Sequence, residues 1–121
     1  MARLEELIVW QLAVSFSHGV ADLDARKGHK LPRKLREQLL DAAASVSSNI
    51  AEGYARRRPR QFLQFVDYSR GSLAEAETRL RIAVVNRAFT AADIEPLLLL
   101  AKRFAVASWR LRQYLATHEP A

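Results

Sequence analysis

Two interleaved rows of small and apolar residues, each with a seven-residue spacing, run through residues 59 to 87. One row contains Phe62, Ser69, Ala76 and Ala83, and the other contains Val66, Leu73 and Leu80. Rows that are offset by three and four residues lie on one face of an α-helix and form the seam that packs against other helices. The pattern therefore predicts a long helix that must bury one face against its neighbours.

Helical periodicity also dominates the rest of the chain, and no convincing alternating strand occurs. We predict helices at about residues 5–25, 32–56, 59–87 and 91–116. Gly28 is predicted to end the first helix in a left-handed cap. Pro59 should open the third helix, and Thr90 with Asp93 should form a capping box for the fourth. These elements predict an all-α fold, an antiparallel up-down-up-down four-helix bundle, with residues 1–121 as a single domain.

The residue types exclude several classes of chemistry. The chain has no Cys, so disulfides, thiol chemistry and Cys-ligated zinc are excluded. None of the three histidines has metal-ligand spacing, and no Glu-x-x-His pair of the di-iron bundles is present. A Gly-rich phosphate loop and a nucleophile elbow are also missing. We therefore expect a protein that is not an enzyme, with no catalytic residue, metal or cofactor.

The start of the chain and its hydropathy predict a cytoplasmic protein. Glu5 and Glu6 stand where a signal peptide has a basic and then an apolar segment. No apolar run approaches the ~20 residues that a membrane-spanning helix needs. We expect no membrane partner.

Positive charge is concentrated in residues 26 to 60, which carry ten Lys or Arg and three acids. Such clustering favours polyanions, RNA or DNA, although a solvated basic surface is the alternative. The candidate nucleic-acid-binding residues form two groups. They are Arg56, Arg57, Arg58 and Arg60 at the turn between the second and third helices, and Arg33, Lys34 and Arg36 at the start of the second.

A cluster of polar residues is predicted where the second and third helices pack together. Asn49 and Glu52 are neighbours on one helical face, and antiparallel register places them opposite residues 64 to 70. With Ser48, Arg70 and Ser72 they are predicted to form a structural hydrogen-bond network that fixes register. A functional polar pocket is the alternative.

Two glycines in the same region predict close helix packing. Gly53 in a helix interior costs ~1 kcal/mol relative to Ala, which the close approach of a backbone or a bulky partner would explain. Gly71 on the facing helix suggests the same.

Apolar residues outside a single inner stripe predict self-association. Ile8 and Trp10 in the first helix, and Leu100, Val106 and Trp109 in the fourth, have no obvious place in one core. A helix that is apolar all round is usually buried all round. We therefore expect a homo-oligomer.

Several motifs resemble the four-helix-bundle family of 23S rRNA intervening-sequence proteins over about residues 7–85. The motifs are Val9-Trp10-Gln11 with Ala13, Leu35 with Gln38, Ser45 with Ser48 to Gly53, Phe62 with Phe65, and Arg70 to Glu75. The last third of the chain resembles only a generic amphipathic helix.

The resemblance implies a small bacterial all-α protein of uncharacterised function. Relatives act as the accessory variability determinant of diversity-generating retroelements, form homopentamers, and bind nucleic acid and a reverse transcriptase. The resemblance therefore favours a pentamer and allows RNA, DNA, a reverse transcriptase or another protein as partner. It transfers no catalytic residues.

The sequence departs from the family pattern at four positions. Ser47 replaces a usual Pro, so a kink in the second helix is not implied. Asp41 replaces a basic residue, which weakens RNA contact on that face. Ala55 and Arg58 replace the Gly and Ser of the turn, and Pro59 is predicted to begin the third helix in place of the Ser.

Three functional hypotheses follow from these patterns. The first is a non-enzymatic oligomer that binds nucleic acid through its basic turn. The second is a purely structural oligomer or scaffold with a protein partner and no nucleic-acid role. The third is an enzyme or a small-molecule binder with a polar pocket.

Overall fold

Four α-helices form almost all of residues 2–118, which are the residues that the computed structural model describes. The helices are α1 (Ile8–Lys27), α2 (Arg33–Arg56), α3 (Pro59–Val85) and α4 (Ala91–Thr117). Short 3-10 turns at Leu4–Glu6 and Gly28–Lys30 flank α1. No strand occurs in this part of the chain. The four predicted helices and the all-α fold class are confirmed.

The helices pack in a closed ring, because each contacts its neighbour in sequence and α4 returns to contact α1. The register of α2 and α3 follows from two side-chain contacts. Ser69 donates from Oγ to the Val46 carbonyl oxygen (2.5 Å), and Arg79 donates from Nη1 to Gln38 Oε1 (2.8 Å). Later residues of α3 meet earlier residues of α2, so the two helices are antiparallel, as in the predicted bundle.

The seven-residue rows of α3 form one wall of the core. Every member of both rows is buried. Phe16 of α1, Ile50 of α2 and Phe104 of α4 complete the centre, each with no exposed surface. The one polar member of the rows, Ser69, is fully buried, and its hydroxyl is satisfied by the bond to α2. A buried hydroxyl without a hydrogen-bond partner would destabilise the core.

Two of the predicted helix boundaries are confirmed by their capping contacts. Pro59 occupies the first turn of α3. Thr90 Oγ1 accepts from the Asp93 N–H (3.1 Å), and Asp93 Oδ2 accepts from the Thr90 N–H (2.8 Å). This reciprocal pair satisfies two backbone donors at the start of α4.

The predicted left-handed cap at Gly28 is wrong. Gly28 has φ −60°, in the right-handed region, and continues from α1 into a 3-10 turn. The residue is buried, and a Cβ there would collide with the Asp24 carboxylate and lie 2.9 Å from Arg36 Nε. Glycine is therefore favoured here by close packing against an ion pair, not by its backbone angle.

The two glycines of the α2–α3 pair have different surroundings. A Cβ on buried Gly53 would lie 2.7 Å from Phe65 Cβ and 2.8 Å from Phe62 Cδ1, which confirms the predicted close approach of a bulky partner. Gly71 is exposed, and a Cβ there would meet nothing within 4 Å. The prediction for Gly71 is wrong, because it lies off the buried rows of α3.

A search of residues 2–118 for membrane-spanning helices finds none whose length and apolar character would carry it across a bilayer.

Candidate functional site

The turn between α2 and α3 reverses the chain with two residues. Arg57 adopts the left-handed conformation (φ 57°, ψ 24°), and its N–H donates to the Tyr54 carbonyl (3.2 Å). Arg58 is extended (φ −129°, ψ 123°) and precedes Pro59, as the steric restriction before proline requires. The Tyr54 hydroxyl donates to the Ala2 carbonyl (2.7 Å), so the start of the chain lies beside this turn.

The arginines of the turn differ in their partners. Arg56 donates from Nη2 to Glu52 Oε1 (3.0 Å), and its guanidinium lies 5.2 Å from the centre of the Phe65 ring. Arg57 and Arg58 are exposed, and neither has a carboxylate partner among residues 2–118. Arg60 is exposed as well. The turn therefore presents two adjacent guanidinium groups with unneutralised charge.

The second predicted basic group is largely engaged in ion pairs. Arg36 binds Asp24 through two bonds, Nε to Oδ1 (2.7 Å) and Nη2 to Oδ2 (3.0 Å), and this carboxylate raises the pKa of Arg36. Arg33 donates to Glu37 (2.9 Å), whereas Lys34 is exposed. The 24 residues of α2 separate this group from the turn by ~36 Å.

A further ion pair lies at the same end as Arg36. Lys27 Nζ of α1 lies 2.6 Å from Asp93 Oδ2 of α4. The hydrogen bond from Lys27 and that from the Thr90 N–H lower the pKa of Asp93 to about 2. The carboxylate thus caps α4 and ties it to α1.

Three of the five residues of the predicted polar network, Asn49, Glu52 and Arg70, have separate partners in the structure. Asn49 donates to the Ser45 carbonyl of its own helix (2.8 Å), and Glu52 pairs with Arg56 of the same helix. Arg70 contacts α4 instead of α2. Ser48 is exposed and Ser72 is half-buried. The side-chain bond that joins α2 to α3 in this region comes from Ser69, a residue that the sequence analysis assigned only to the packing seam.

Arg70 anchors α3 to α4 beside an exposed tryptophan. Its Nη1 donates to the Ala105 carbonyl (2.9 Å) and to Ser108 Oγ (2.7 Å). The Trp109 ring lies 5.7 Å from the Arg70 guanidinium and 5.6 Å from that of Arg112. Because both cations are held by other contacts, this cluster stabilises the α3–α4 contact.

A shallow groove of about 470 Å³ runs between α1 and α4. Its apolar surface comes from Ile8, Leu12, Leu99, Val106 and Ala107, and its cations are Lys102, Arg103 and Arg110. Among the apolar residues, Ile8 is 58% and Leu99 61% exposed. The groove therefore combines an uncovered apolar surface with positive charge.

The apolar residues that predicted self-association fall into two sets. Trp10 and Leu100 are partly buried and pack against the core. Ile8, Val106 and Trp109 are exposed, so they are accessible for a contact with another copy of the chain. The single chain thus covers two of the five.

The sequence matches the family described as 23S rRNA-intervening sequence protein over residues 5–108. The chain belongs to the 23S rRNA-intervening sequence protein family. The match confirms the resemblance and extends it well past residue 85, into α4. No curated protein matches the chain.

The basic turn of this family member lies within the matched residues, and so does the groove except for Arg110. The cations of the groove do not stand out in the sequence, because residues 61 to 121 contain almost as many acids as bases. The spacing of Leu99, Lys102, Arg103 and Val106 places all four on one face of α4. A face-by-face count of charge would have found them.

Proposed function

We propose that this member of the 23S rRNA-intervening sequence protein family is a non-enzymatic binding protein that contacts nucleic-acid phosphates through its α2–α3 turn. One observation carries the proposal: Arg57 and Arg58 are adjacent, exposed and without carboxylate partners among the described residues. A guanidinium group offers planar paired donors that match a phosphate. The cytoplasm, where nucleic acid is available, is the proposed location.

The geometry of the turn favours contact with the backbone of the nucleic acid. A two-residue turn enters neither groove deeply, so its contacts are with phosphates, which position a protein without specifying sequence. Arg56, whose charge is paired with Glu52, and Arg60 flank the pair. Of the second group, Arg33 and Arg36 already pair with Glu37 and Asp24, so we assign them a structural role.

The test uses a double variant that preserves the turn. Arg57→Asn keeps a residue that tolerates the left-handed conformation, and Arg58→Ser removes the neighbouring charge. The matched control is Arg33→Ser with Lys34→Ser, which removes the same charge at the other end of α2. Binding of structured RNA, and separately of duplex DNA, is measured by fluorescence anisotropy between about 50 and 200 mM salt.

We expect the turn variant to lose at least about tenfold in affinity and to show a shallower dependence on salt, because each phosphate contact releases counterions. The control variant should bind as the wild type does. Absence of binding by the wild type at the lowest salt, or equal losses in both variants, would contradict the proposal.

A second candidate function is an oligomeric scaffold whose partner is a protein. The exposed side chains of Ile8, Val106 and Trp109 support self-association of the chain, and the family resemblance favours a pentamer. A reverse transcriptase or another protein is the partner that the resemblance suggests. Sedimentation equilibrium should give several times 13.7 kDa; a monomer at all concentrations would reject the oligomer.

A further inference from the structure

One face of α4 carries alternating apolar and basic residues that no other helix of the bundle covers. Counted from Leu99, the residues Lys102, Arg103, Val106 and Arg110 lie three, four, seven and eleven positions further along α4. They share one face and, with Ile8 of α1, border the α1–α4 groove. From Leu99 to Arg110 the face extends ~17 Å along α4.

The three cations of this face are available for a partner. Lys102, Arg103 and Arg110 are exposed, and none has a carboxylate or hydrogen-bond partner among residues 2–118. No acidic residue lines the groove. By contrast, Arg112, two residues after Arg110, is bound to Asp67 at 2.7 Å. The groove therefore lacks the negative charge that balances arginines elsewhere on the surface.

We propose that the α1–α4 groove binds an amphipathic helix of another protein whose apolar stripe is flanked by carboxylates. The apolar side chains would cover Ile8, Leu99 and Val106, and the carboxylates would pair with the cations of α4. Helices bind apolar grooves through anchors at positions i, i+3, i+4 and i+7. About three turns of helix match the length of the groove. This inference is independent of the proposed phosphate contact at the α2–α3 turn, and it is an alternative to self-association through Ile8 and Val106.

Charge argues against a second copy of this chain as the occupant. Across a two-fold axis the three cations of one copy would face those of the other, and opposed like charges are unfavourable. In a ring of copies the groove meets a different surface of its neighbour, and that surface would need free carboxylates to match the cations. Most carboxylates of the described residues already pair with cations of the same chain. A copy with net charge +6 offers few free acids.

The apolar surface argues against nucleic acid in this groove. The apolar residues that line it are aliphatic, whereas single strands stack their bases on aromatic rings. Aliphatic side chains between cations instead match a helix with both apolar and acidic positions.

The probe is a fluorescein-labelled, lactam-stapled peptide of about 15 residues, with Leu at i, i+3, i+4 and i+7 and Glu at the flanking positions. A second peptide has Lys in place of every Glu. The groove variant is Lys102→Glu, Arg103→Glu and Arg110→Glu. The matched control, Lys30→Glu, Lys34→Glu and Arg81→Glu, has the same net charge, alters only exposed residues and leaves the groove intact. Leu99→Ser tests the apolar surface at an exposed position.

We expect the Glu peptide to bind the wild type and the matched control alike, and to bind the groove variant and Leu99→Ser at least about tenfold more weakly. The Lys peptide should not bind. Circular dichroism melts, which should be unchanged for all variants because the substituted side chains are exposed, separate loss of binding from loss of folding.

Three results would overturn the proposal. The first is absence of Glu-peptide binding, or equal weakening in the groove variant and its matched control. The second is an oligomer that Leu99→Ser dissociates, which would make the groove a contact between copies. The third is binding of anionic lipid vesicles, lost in the groove variant, without binding of the peptide.

Discussion

The two ends of α2 carry similar numbers of basic residues in opposite electrostatic situations. At the paired end, Arg36 binds Asp24, and Lys27 nearby binds Asp93. At the turn end, Arg57 and Arg58 extend into solvent without a carboxylate among the described residues. The charges at the paired end hold helices together, whereas those at the turn end remain available to a ligand. The density of Lys and Arg alone therefore does not distinguish charges that are used in ion pairs from charges that are left without a carboxylate.

The largest effect on stability is expected from a methyl group placed into the paired end. Gly28→Ala should lower the free energy of unfolding by about 3 kcal/mol, because the new Cβ displaces the Asp24 carboxylate and the bonds it accepts. Urea denaturation followed by circular dichroism measures the change. Gly71→Ala is the matched control and should raise stability by about 0.5–1 kcal/mol, since it replaces an exposed helical glycine. An unchanged free energy of unfolding in Gly28→Ala would show that the paired end is loosely packed.

A smaller loss is expected when the carboxylate of the same pair is neutralised. Asp24→Asn should cost about 2 kcal/mol, because it weakens two charge-assisted bonds to Arg36 in a buried position. The exposed pair of Asp22 with Arg26 provides the control, and Asp22→Asn should change stability by less than about 0.5 kcal/mol. Equal effects of the two substitutions would show that the buried ion pair contributes no more to stability than the exposed one.

The Lys27–Asp93 pair should make stability depend on acid pH. The pKa of Asp93 is lowered to about 2 in the folded chain, below the ~3.9 of an unfolded aspartate. Its contribution is therefore present above about pH 4 and is lost as the pH falls toward about 2. Asp93→Asn should flatten this part of the profile of melting temperature against pH. Glu37→Gln, in an exposed pair at the same end, should leave the profile almost unchanged.

The smallest effect on stability is expected at the turn end. Arg57→Asn combined with Arg58→Ser should change the free energy of unfolding by less than about 0.5 kcal/mol, because exposed side chains without partners contribute little to folding. A thermal melt of the same double variant that is used for nucleic-acid binding measures this. A loss above about 1 kcal/mol would assign these arginines a structural role and break the contrast between the two ends.

The helices and their register could be read from the sequence because they depend on local rules. Seven-residue rows, Pro59 and the Thr90–Asp93 box specify helical faces and starts, and a two-residue turn then determines which residues of α2 meet which of α3. The helical face on which each residue lies also separates the two glycines. Gly53 is on the face of α2 that packs against α3, whereas Gly71 lies away from the buried face of α3. Applied to every position, that rule would have predicted both outcomes.

The side-chain contacts could not be read in the same way. Arg36 meets Asp24 across a change of chain direction, and Lys27 meets Asp93 from the far end of the sequence, so no local spacing marks either pair. Asn49 had a carbonyl of its own helix within reach, one turn earlier, and this local bond replaced the predicted contact with α3. Short polar side chains commonly choose such backbone partners.

The bond between the Tyr54 hydroxyl and the Ala2 carbonyl has a practical consequence for labelling. The chain has no Cys, so Ala2→Cys would create a unique attachment point for a maleimide dye. Because Tyr54 lies three residues before Arg57, the dye would sit close enough to the turn to sense a polyanion bound there, while the α1–α4 groove would be reported by its own labelled peptide. The same proximity means that an affinity tag fused at this terminus would crowd the arginines, and it is better placed elsewhere when binding is measured.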